Sequence, residues 1–595
     1  MRIGIDAGGT FTDFVVAHDD GRIDTFKIRS DPDNPAVVIL EGLRRAGGRT
    51  RDEIVHGSTV ATNALLERKG VRTALVTTAG FEDVIQIGRQ NRAQLYVLSP
   101  GPKKTLANPA LCFGVNERTY FDGTIAAAPA KLDQLSRKLR GANVEAIAIC
   151  LLHSYANPEN ERIIRDAVAT AAPYVCCSHE ICPEFREYER STTTFLNAYV
   201  GPLMDRYLSQ LETAPKLWIM QSNGGVIRAR EAREHAVRTL LSGPAGGVVG
   251  AIETARLSGY TKVLGFDMGG TSTDVSLSEG TPRQTAEAYI DGIPVRVPML
   301  DIQTVGAGGG SIARVDEGGL LRVGPQSAGS VPGPACYGEG DRPTVTDAHV
   351  VLGRIRDSQF LGGSMPIYPE RAAAAIDKIA RALGATRKAA AEGIIRVANA
   401  NMERAIRSVS VERGYDPREF ALVAFGGCGG LHACEIANEL GIRTVILPEH
   451  AGVLSALGML MADRVRDYTA GVVGRTWRFK ELESRARKDM PGCTIERYLD
   501  MRYAGQSYEL TVPEGASFHA AHQKMYGYSD ESRSTEVIAI RIRALSRVSK
   551  PSLRSTQKQK PVKGPALIAD YGATTWIPAG WVCRGDRHGN RILTM

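Results

Sequence analysis

One short segment occurs twice in this chain. Ile5 to Asp13 reads IDAGGTFTD and Phe266 to Asp274 reads FDMGGTSTD, so Asp, Gly, Gly, Thr, Thr and Asp recur at the same offsets. The pairs are Asp6 with Asp267, Gly8 with Gly269, Gly9 with Gly270, Thr10 with Thr271, Thr12 with Thr273 and Asp13 with Asp274. Such agreement at polar and glycine positions, each copy led by an apolar strand-like run, predicts a duplicated domain. Each copy reads as a β-hairpin with a glycine-rich turn.

The rest of the chain gives α/β texture around these hairpins. At 595 residues it exceeds a single hydrophobic core, which favours two or three domains with a site at their junction. We expect a first half over 1–183, a second over 184–466 and a strand-rich C-terminal domain over 467–595. Pro35 opens a short amphipathic helix, and a longer helix is predicted from Arg387 to Arg413, with Ile394, Val397, Met402, Ile406 and Val409 on one face and Gly414 as its stop. The lysine-rich stretch Ser549 to Gly564 reads as an exposed loop.

Composition excludes more than it identifies. The net charge of +8 is dispersed among acidic residues, without the basic stripe of a nucleic-acid binder. No apolar run approaches the roughly 18 residues of a membrane helix, and the N-terminus lacks a signal core, so a cytoplasmic protein is expected. Ten scattered cysteines form no disulfide framework. Cys176, Cys177, His179 and Cys182 read either as a soft-metal cluster or as a strand of buried thiols.

The residue types in the repeat carry a specific chemistry. Adjacent glycines let backbone approach a ligand without Cβ interference, and successive N–H groups in such a turn form an anion nest that threonine hydroxyls supplement. A triphosphate fits Gly8, Gly9, Thr10 and Thr12 together with Gly269, Gly270, Thr271, Ser272 and Thr273. The strand-end carboxylates Asp6 and Asp267 would repel phosphate, so they imply a hard cation between, most simply Mg²⁺ held largely through water. A third glycine cluster, AFGGCGGLHA from Ala424 to Ala433, joins a strand to a helix N-terminus and places Gly426 and Gly427 on the adenosine side. Asp347 reads either as a further metal-side carboxylate or as a helix cap, with His349 favoured as part of the cap. His56 and His153 read as substrate-side or structural groups, and Glu184, Arg186, Glu187 and Glu189 as a polar lining or a solvated turn.

An ordered series of segments resembles the hydantoinase/oxoprolinase A family over nearly the whole chain. It runs through IDAGGTFTD, HGSTVATNA, HSYANP, PEFREYERSTTTFLNAYVGP, QSNGG, LSGPAGG, FDMGGTSTDV, TVGAGGGSIA, GPACYG, PTVTDAHVVLG and DYGATTWIPAGW. The resemblance implies a duplicated actin-like (ribonuclease-H-type) ATPase core in which Asp6 and Asp267 serve catalysis with ATP and Mg²⁺. It implies ATP-driven activation of a hydantoin, 5-oxoproline or related lactam by phosphorylation of its carbonyl oxygen. The nucleotide-binding subunit of a ketone carboxylase is the alternative within the family; a sugar or acid kinase and a non-catalytic nucleotide switch are alternatives outside it. A B-type partner subunit and a hetero-oligomer are implied too. Two positions depart from the family pattern: Cys428 and Gly430 replace alanine and proline in the third cluster, and Gln303 replaces a histidine before TVGAGGG.

Overall fold

The computed structural model describes residues 1–595 except 32, 49–51, 92–95, 99–104, 213–215, 357–364, 554–559 and 571. The predicted hairpins form, and each seeds a sheet of the same topology. In the first half, β1 (Arg2–Ala7), β2 (Phe11–Ala17) and β3 (Ile23–Arg29) run antiparallel, while β4 (Glu53–Gly57) and β5 (Leu217–Met220) add in parallel on the far side of β1, so the first sheet draws on chain beyond the boundary expected at 183. In the second half, β6 (Lys262–Met268), β7 (Thr273–Glu279) and β8 (Ile302–Val305) repeat the antiparallel set, and β9 (Ala421–Phe425) and β10 (Thr444–Leu447) repeat the parallel pair. Both halves therefore read 3-2-1-4-5 in sheet order, the duplicated ribonuclease-H arrangement.

Strand parity decides which residues face the seam between the halves. Ile3 and Ile5 of β1 and Leu264 and Phe266 of β6 are fully buried in two separate outer cores, each contributing on the order of 2 kcal/mol. The alternate positions, Gly4 and Asp6, and Gly265 and Asp267, therefore face the opposite side. The helices that matter to the site are α1 (Ser242–Leu257), α2 (Arg387–Val409), α3 (Gly426–Leu440) and α4 (Leu454–Met461). Helices α1 and α4 cross in the seam, where a Cβ at Gly458 would lie 2.0 Å from the Gly246 carbonyl oxygen. Gly4 admits α4 in the same way, since its Cβ would meet the Ala456 carbonyl at 2.2 Å.

The C-terminal segment is rich in strands, and most of these extend the two large sheets. Strands β11 (Arg464–Gly471), β12 (Thr494–Tyr503), β13 (Leu510–Pro513) and β14 (Thr535–Ser546) continue the first sheet to ten strands. The hairpin of β15 (Ala566–Asp570) and β16 (Ala573–Ile577) packs on α3, while β17 (Val582–Gly585) and β18 (Arg591–Thr594) continue the second sheet beyond β10. The predicted long helix ends at Val409; a 3₁₀ turn follows and Gly414, at φ 79°, closes it in the left-handed region. Of the lysine-rich stretch, residues 554–559 lie outside the described ones, and Lys550 is not free in solvent but pairs with Glu253 on α1. Among the described residues, no helix is long and apolar enough to cross a membrane.

Candidate active site

The two repeat turns open onto one cavity of about 920 Å³. Asp6, Gly8, Gly9 and Thr10 line it from the first half, and Asp267, Gly269, Gly270, Thr271 and Ser272 from the second. Each turn is closed by its own backbone, Gly8 N–H donating to Phe11 at 3.1 Å and Gly269 N–H to Ser272 at 3.1 Å. Beyond them, a Cβ at Gly9 or Gly270 would meet no atom within 4 Å, and neither residue has a left-handed φ. The fold itself does not require glycine there, so the bare backbone serves whatever enters the cavity.

The second turn is buttressed by the TVGAGGG segment. Gly309 and Gly310 donate to the carbonyls of Gly269 and Gly270 at 3.1 and 2.7 Å, and a Cβ at Gly308 would stand 2.6 Å from Thr271 backbone. Gly426 and Gly427 line the same cavity at the start of α3. Gly426 has φ +78°, and a Cβ there would lie 2.4 Å from the Asp267 carboxylate. The Gly430 departure has a local cause, because a Cβ would sit 2.5 Å from Thr575 Oγ1 where α3 crosses β16. Gln303 lies exposed on β8, away from the cavity lining.

Charge is the dominant feature of this cavity. Asp6, Asp13, Asp267, Asp274, Glu339 and Asp570 line it against Lys27 and Arg29, six carboxylates to two cations. Asp6 and Asp13 are register partners, as are Asp267 and Asp274, so each hairpin contributes a carboxylate pair. Burial, helped by the Asp13 charge, pushes Asp6 up to about 7. Burial likewise raises Asp274 to about 6 despite its bond from Thr304. Asp267 is raised too, through burial and then the charges of Asp274, Asp6 and Asp13; that coupling places the two hairpins' acids within electrostatic reach of each other. Burial also raises Asp13, against the pull of Lys27. Carboxylates forced to titrate this high gain from a bound cation, which removes the cost of their ionised forms.

Several predicted residues serve the scaffold instead. The Thr12 hydroxyl is buried against Ser30 Oγ at 3.0 Å, and Thr273 Oγ1 donates to the Ala307 carbonyl at 2.5 Å, so neither reaches the cavity. Both sit one pleat out of phase with the turn. Asp347 is the helix cap and not a metal-side group: its carboxylate accepts from the N–H groups of Ala335, Cys336 and Thr344 and from the Thr344 hydroxyl, at 2.8 to 3.2 Å. His349 is buried against His432, Nε2 to Nε2 at 3.0 Å. His56 is also interior, with Nε2 2.6 Å from the Tyr207 hydroxyl and burial lowering it to about 4.

The two polar motifs left open by the sequence resolve as structure. Burial alone would raise Glu184, but the guanidiniums of Arg296 and Arg541 pull it down to about 2. Arg186 pairs with Glu509 at 2.5 Å, and Arg89 with Glu189 at 2.7 Å, so the segment ties the first half to the C-terminal strands. Around Cys177, the Glu161 carboxylate already accepts from Leu151 N–H, Ser178 Oγ, and His179 N–H and Nδ1. Glu161, Cys177 and His179 are the one group among the described residues with three potential ligand atoms within 4.8 Å of one another, and hydrogen bonds close it. All ten cysteines are free thiols.

Residue reading alone missed Lys27, Arg29 and Ser30 on and after β3, the 3₁₀ turn Ala451–Val453 with the start of α4, and the β15–β16 hairpin with Asp570, Gly572 and Thr574. Lys27 had a signal: an antiparallel third strand sets it directly opposite Asp13.

A duplicated ribonuclease-H core with a carboxylate-ringed cavity between two glycine turns defines the actin-like class of two-lobed nucleotide-dependent proteins. Within that class, the chain belongs to the hydantoinase/oxoprolinase family, whose N-terminal region matches residues 2–171 and whose hydantoinase/oxoprolinase profile matches residues 190–468. Caprolactamase subunit alpha of Pseudomonas jessenii is 36% identical over 97% of this chain and 90% of its own length. The 5-oxoprolinase 1 of Arabidopsis thaliana is 33% identical over 92% of this chain, which spans 50% of that longer protein. The solved ATP-dependent caprolactamase of Pseudomonas jessenii superposes with a TM-score of 0.88 at 31% identity, covering 100% of both chains. Nucleotide-free acetone carboxylase superposes at 0.79 with 26% identity over 100% of this chain and 99% of its own.

Proposed function

We propose that this chain is the ATP-binding subunit of an ATP-dependent cyclic-amide hydrolase acting on a hydantoin, 5-oxoproline or related lactam. The observation that carries the reading is the convergence of both repeat turns on one cavity ringed by raised-pKa aspartates. The relatives named caprolactamase and 5-oxoprolinase supply the substrate class. Acetone carboxylase supports ketone activation as a second reading, ranked below because its identity and superposition are lower than those of caprolactamase.

The donor set fits magnesium: hard carboxylate oxygens from both hairpins on one cavity of about 920 Å³. Asp6 and Asp267 would hold it, and when bound it supplies positive charge that offsets triphosphate against the carboxylates. The chain's own part is to bind and align. Backbone N–H groups of Gly9 and Thr10 in the first turn and of Gly270, Thr271 and Ser272 in the second take the phosphate oxygens from either side, and the Gly426–Gly427 helix start takes the nucleoside end. The substrate carbonyl oxygen then forms a bond to the γ-phosphorus as the bond to ADP breaks, leaving an imidate phosphate whose carbon accepts water. Collapse of that adduct breaks the C–N bond, freeing the amine and leaving an acyl phosphate, and a second water attacks the acyl carbon to release inorganic phosphate and the carboxylate. A partner subunit would complete that second step, in keeping with the name subunit alpha carried by the Pseudomonas jessenii relative.

The test is oxygen tracing. With a lactam labelled by ¹⁸O in its carbonyl, the label should appear in released phosphate. Phosphate release that is indifferent to every lactam, hydantoin and ketone would overturn the reading in favour of a nucleotide switch, and a stable phosphorylated product would make the protein a kinase.

A further inference from the structure

Three parts of the chain, one of them the adjacent strand β2, meet at one side chain in this cavity. Lys27, on β3, donates from Nζ to both Asp13 oxygens at 2.7 Å and to the Gly452 carbonyl, also at 2.7 Å. Asp13 belongs to the first repeat hairpin, whereas Gly452 lies between β10 and α4, in the second half. The third part is the β15–β16 turn, where a Cβ at Gly572 would stand 2.9 Å from Lys27 Cε. Gly452 and Gly572 also face each other, since a Cβ at Gly452 would stand 2.6 Å from the Gly572 carbonyl. Side chains are thus absent from both loops where the lysine stem passes.

We propose that Lys27 is a positioning residue for phosphoryl transfer, pinning the first glycine turn to the second half through Asp13 and the Gly452 carbonyl. This rests on the nucleotide reading above. A lysine at 12% side-chain exposure, bonded to a carboxylate of 16% exposure, is held in place and not a freely solvated charge. Arg29, the other cation of the lining, is exposed. Lys27 is therefore the held cation of the lining, and its bond to Gly452 runs from one half to the backbone of the other. The same junction gives the C-terminal DYGATT segment a role, because Gly572 supplies the wall against which the stem packs. Phosphate donors on two separate halves act together only if their spacing is fixed, and a displacement of about 1 Å costs about 100-fold in rate.

The experiment compares Lys27→Met, which keeps the stem and removes the charge, with the wild type in the intact enzyme. Substrate-dependent phosphate release should fall about 100-fold in kcat. The ATP dissociation constant from calorimetry with Mg²⁺ should stay within about fivefold, while melting should fall, because Asp13 loses its partner, but leave the variant folded at the assay temperature. Aminoethylation of a Lys27→Cys variant, which rebuilds an ammonium at similar reach, should recover at least about tenfold of the lost kcat, while identical treatment of the wild type changes nothing. A Lys27→Met enzyme with unaltered kcat, a loss that lies wholly in ATP affinity or melting, or a failed recovery would each refute the role. If the wild type itself bound no ATP, the nucleotide reading would fall and Lys27 with it, whereas normal wild-type turnover beside a normal variant would refute Lys27 alone.

Discussion

Asp6→Asn should make the metal-free protein more stable at alkaline pH while destroying its activity. Burial and the Asp13 charge raise Asp6 from 3.8 to about 7, a gap of about three units, or about 4 kcal/mol against the ionised form. Two effects reduce that figure. The N-terminus of α1 lies against this carboxylate, a Cβ at Gly243 falling 3.0 Å from Oδ1, and a helix end favours a carboxylate by about 0.3 to 2 kcal/mol. The cavity side of the group is also open to solvent screening. A net gain of about 1 to 2 kcal/mol remains for the amide at pH 8, which corresponds to about 2 to 8 °C for a cooperative unit of domain size.

The sign follows from linkage. A carboxyl whose folded pKa lies above its unfolded value contributes stability that is complete below the unfolded value, near 3.8, and is lost as pH rises through about 7. The variant should therefore match the wild type at pH 4, exceed it at pH 8 in EDTA, and lose the advantage when excess Mg²⁺ stabilises the wild type. Melting curves by circular dichroism at the two pH values, with and without metal, test this. A variant that melts at or below the wild-type temperature at pH 8 in EDTA would refute the strained-carboxylate account of the cavity.

Three further outcomes are expected. Asp267→Asn should reduce Mg²⁺-dependent ATP turnover by about 10³-fold with an unchanged far-ultraviolet spectrum, and unchanged turnover would reject its assignment. Gly270→Ala should weaken ATP binding about tenfold at constant melting temperature, since its Cβ meets nothing within 4 Å, whereas Gly426→Ala should lower the melting temperature by straining φ +78° and crowding Asp267, at about 1 to 3 kcal/mol. Mg²⁺ affinity by titration calorimetry should strengthen as pH rises past about 6 and about 7, where Asp274 and Asp6 lose their protons, and a flat profile between pH 5 and 8 would contradict the site.

Much of the framework was legible because it depends on local signals. The repeat identified both hairpins, glycine clusters marked all three turns at the cavity, and helical periodicity found α2 with its Gly414 stop. What escaped depends on long-range pairing. Nothing local in the C-terminal strands says that β11 pairs with β14 on one sheet while β18 joins β10 on the other. Asp347 was open between two roles because an aspartate near a helix start satisfies either reading, and only the geometry of its accepted bonds decides it. The turn motif suggests Thr12 and Thr273 as phosphate donors, but they lie at the start of the returning strands, where the pleat turns their hydroxyls inward.

The alternation that misled the reading of those threonines also contains the strongest clue to the site. Both first strands carry glycine two residues before the aspartate, Gly4 before Asp6 and Gly265 before Asp267. In a pleated strand, positions two apart share a face, so each aspartate faces the same side as a residue with no side chain. At Gly4 the reason is the close approach of α4, and at Gly265 a Cβ would press on Ser276 Oγ at 2.5 Å. The glycines thus let the structure close tightly just below the carboxylates, which leaves the acids at the rim of a packed seam, partly desolvated and opposed across it. Placement at that depth raises their pKa values and makes a cation between the hairpins favourable, so the spacing of glycine and aspartate in each strand connects close packing to the chemistry of the cleft.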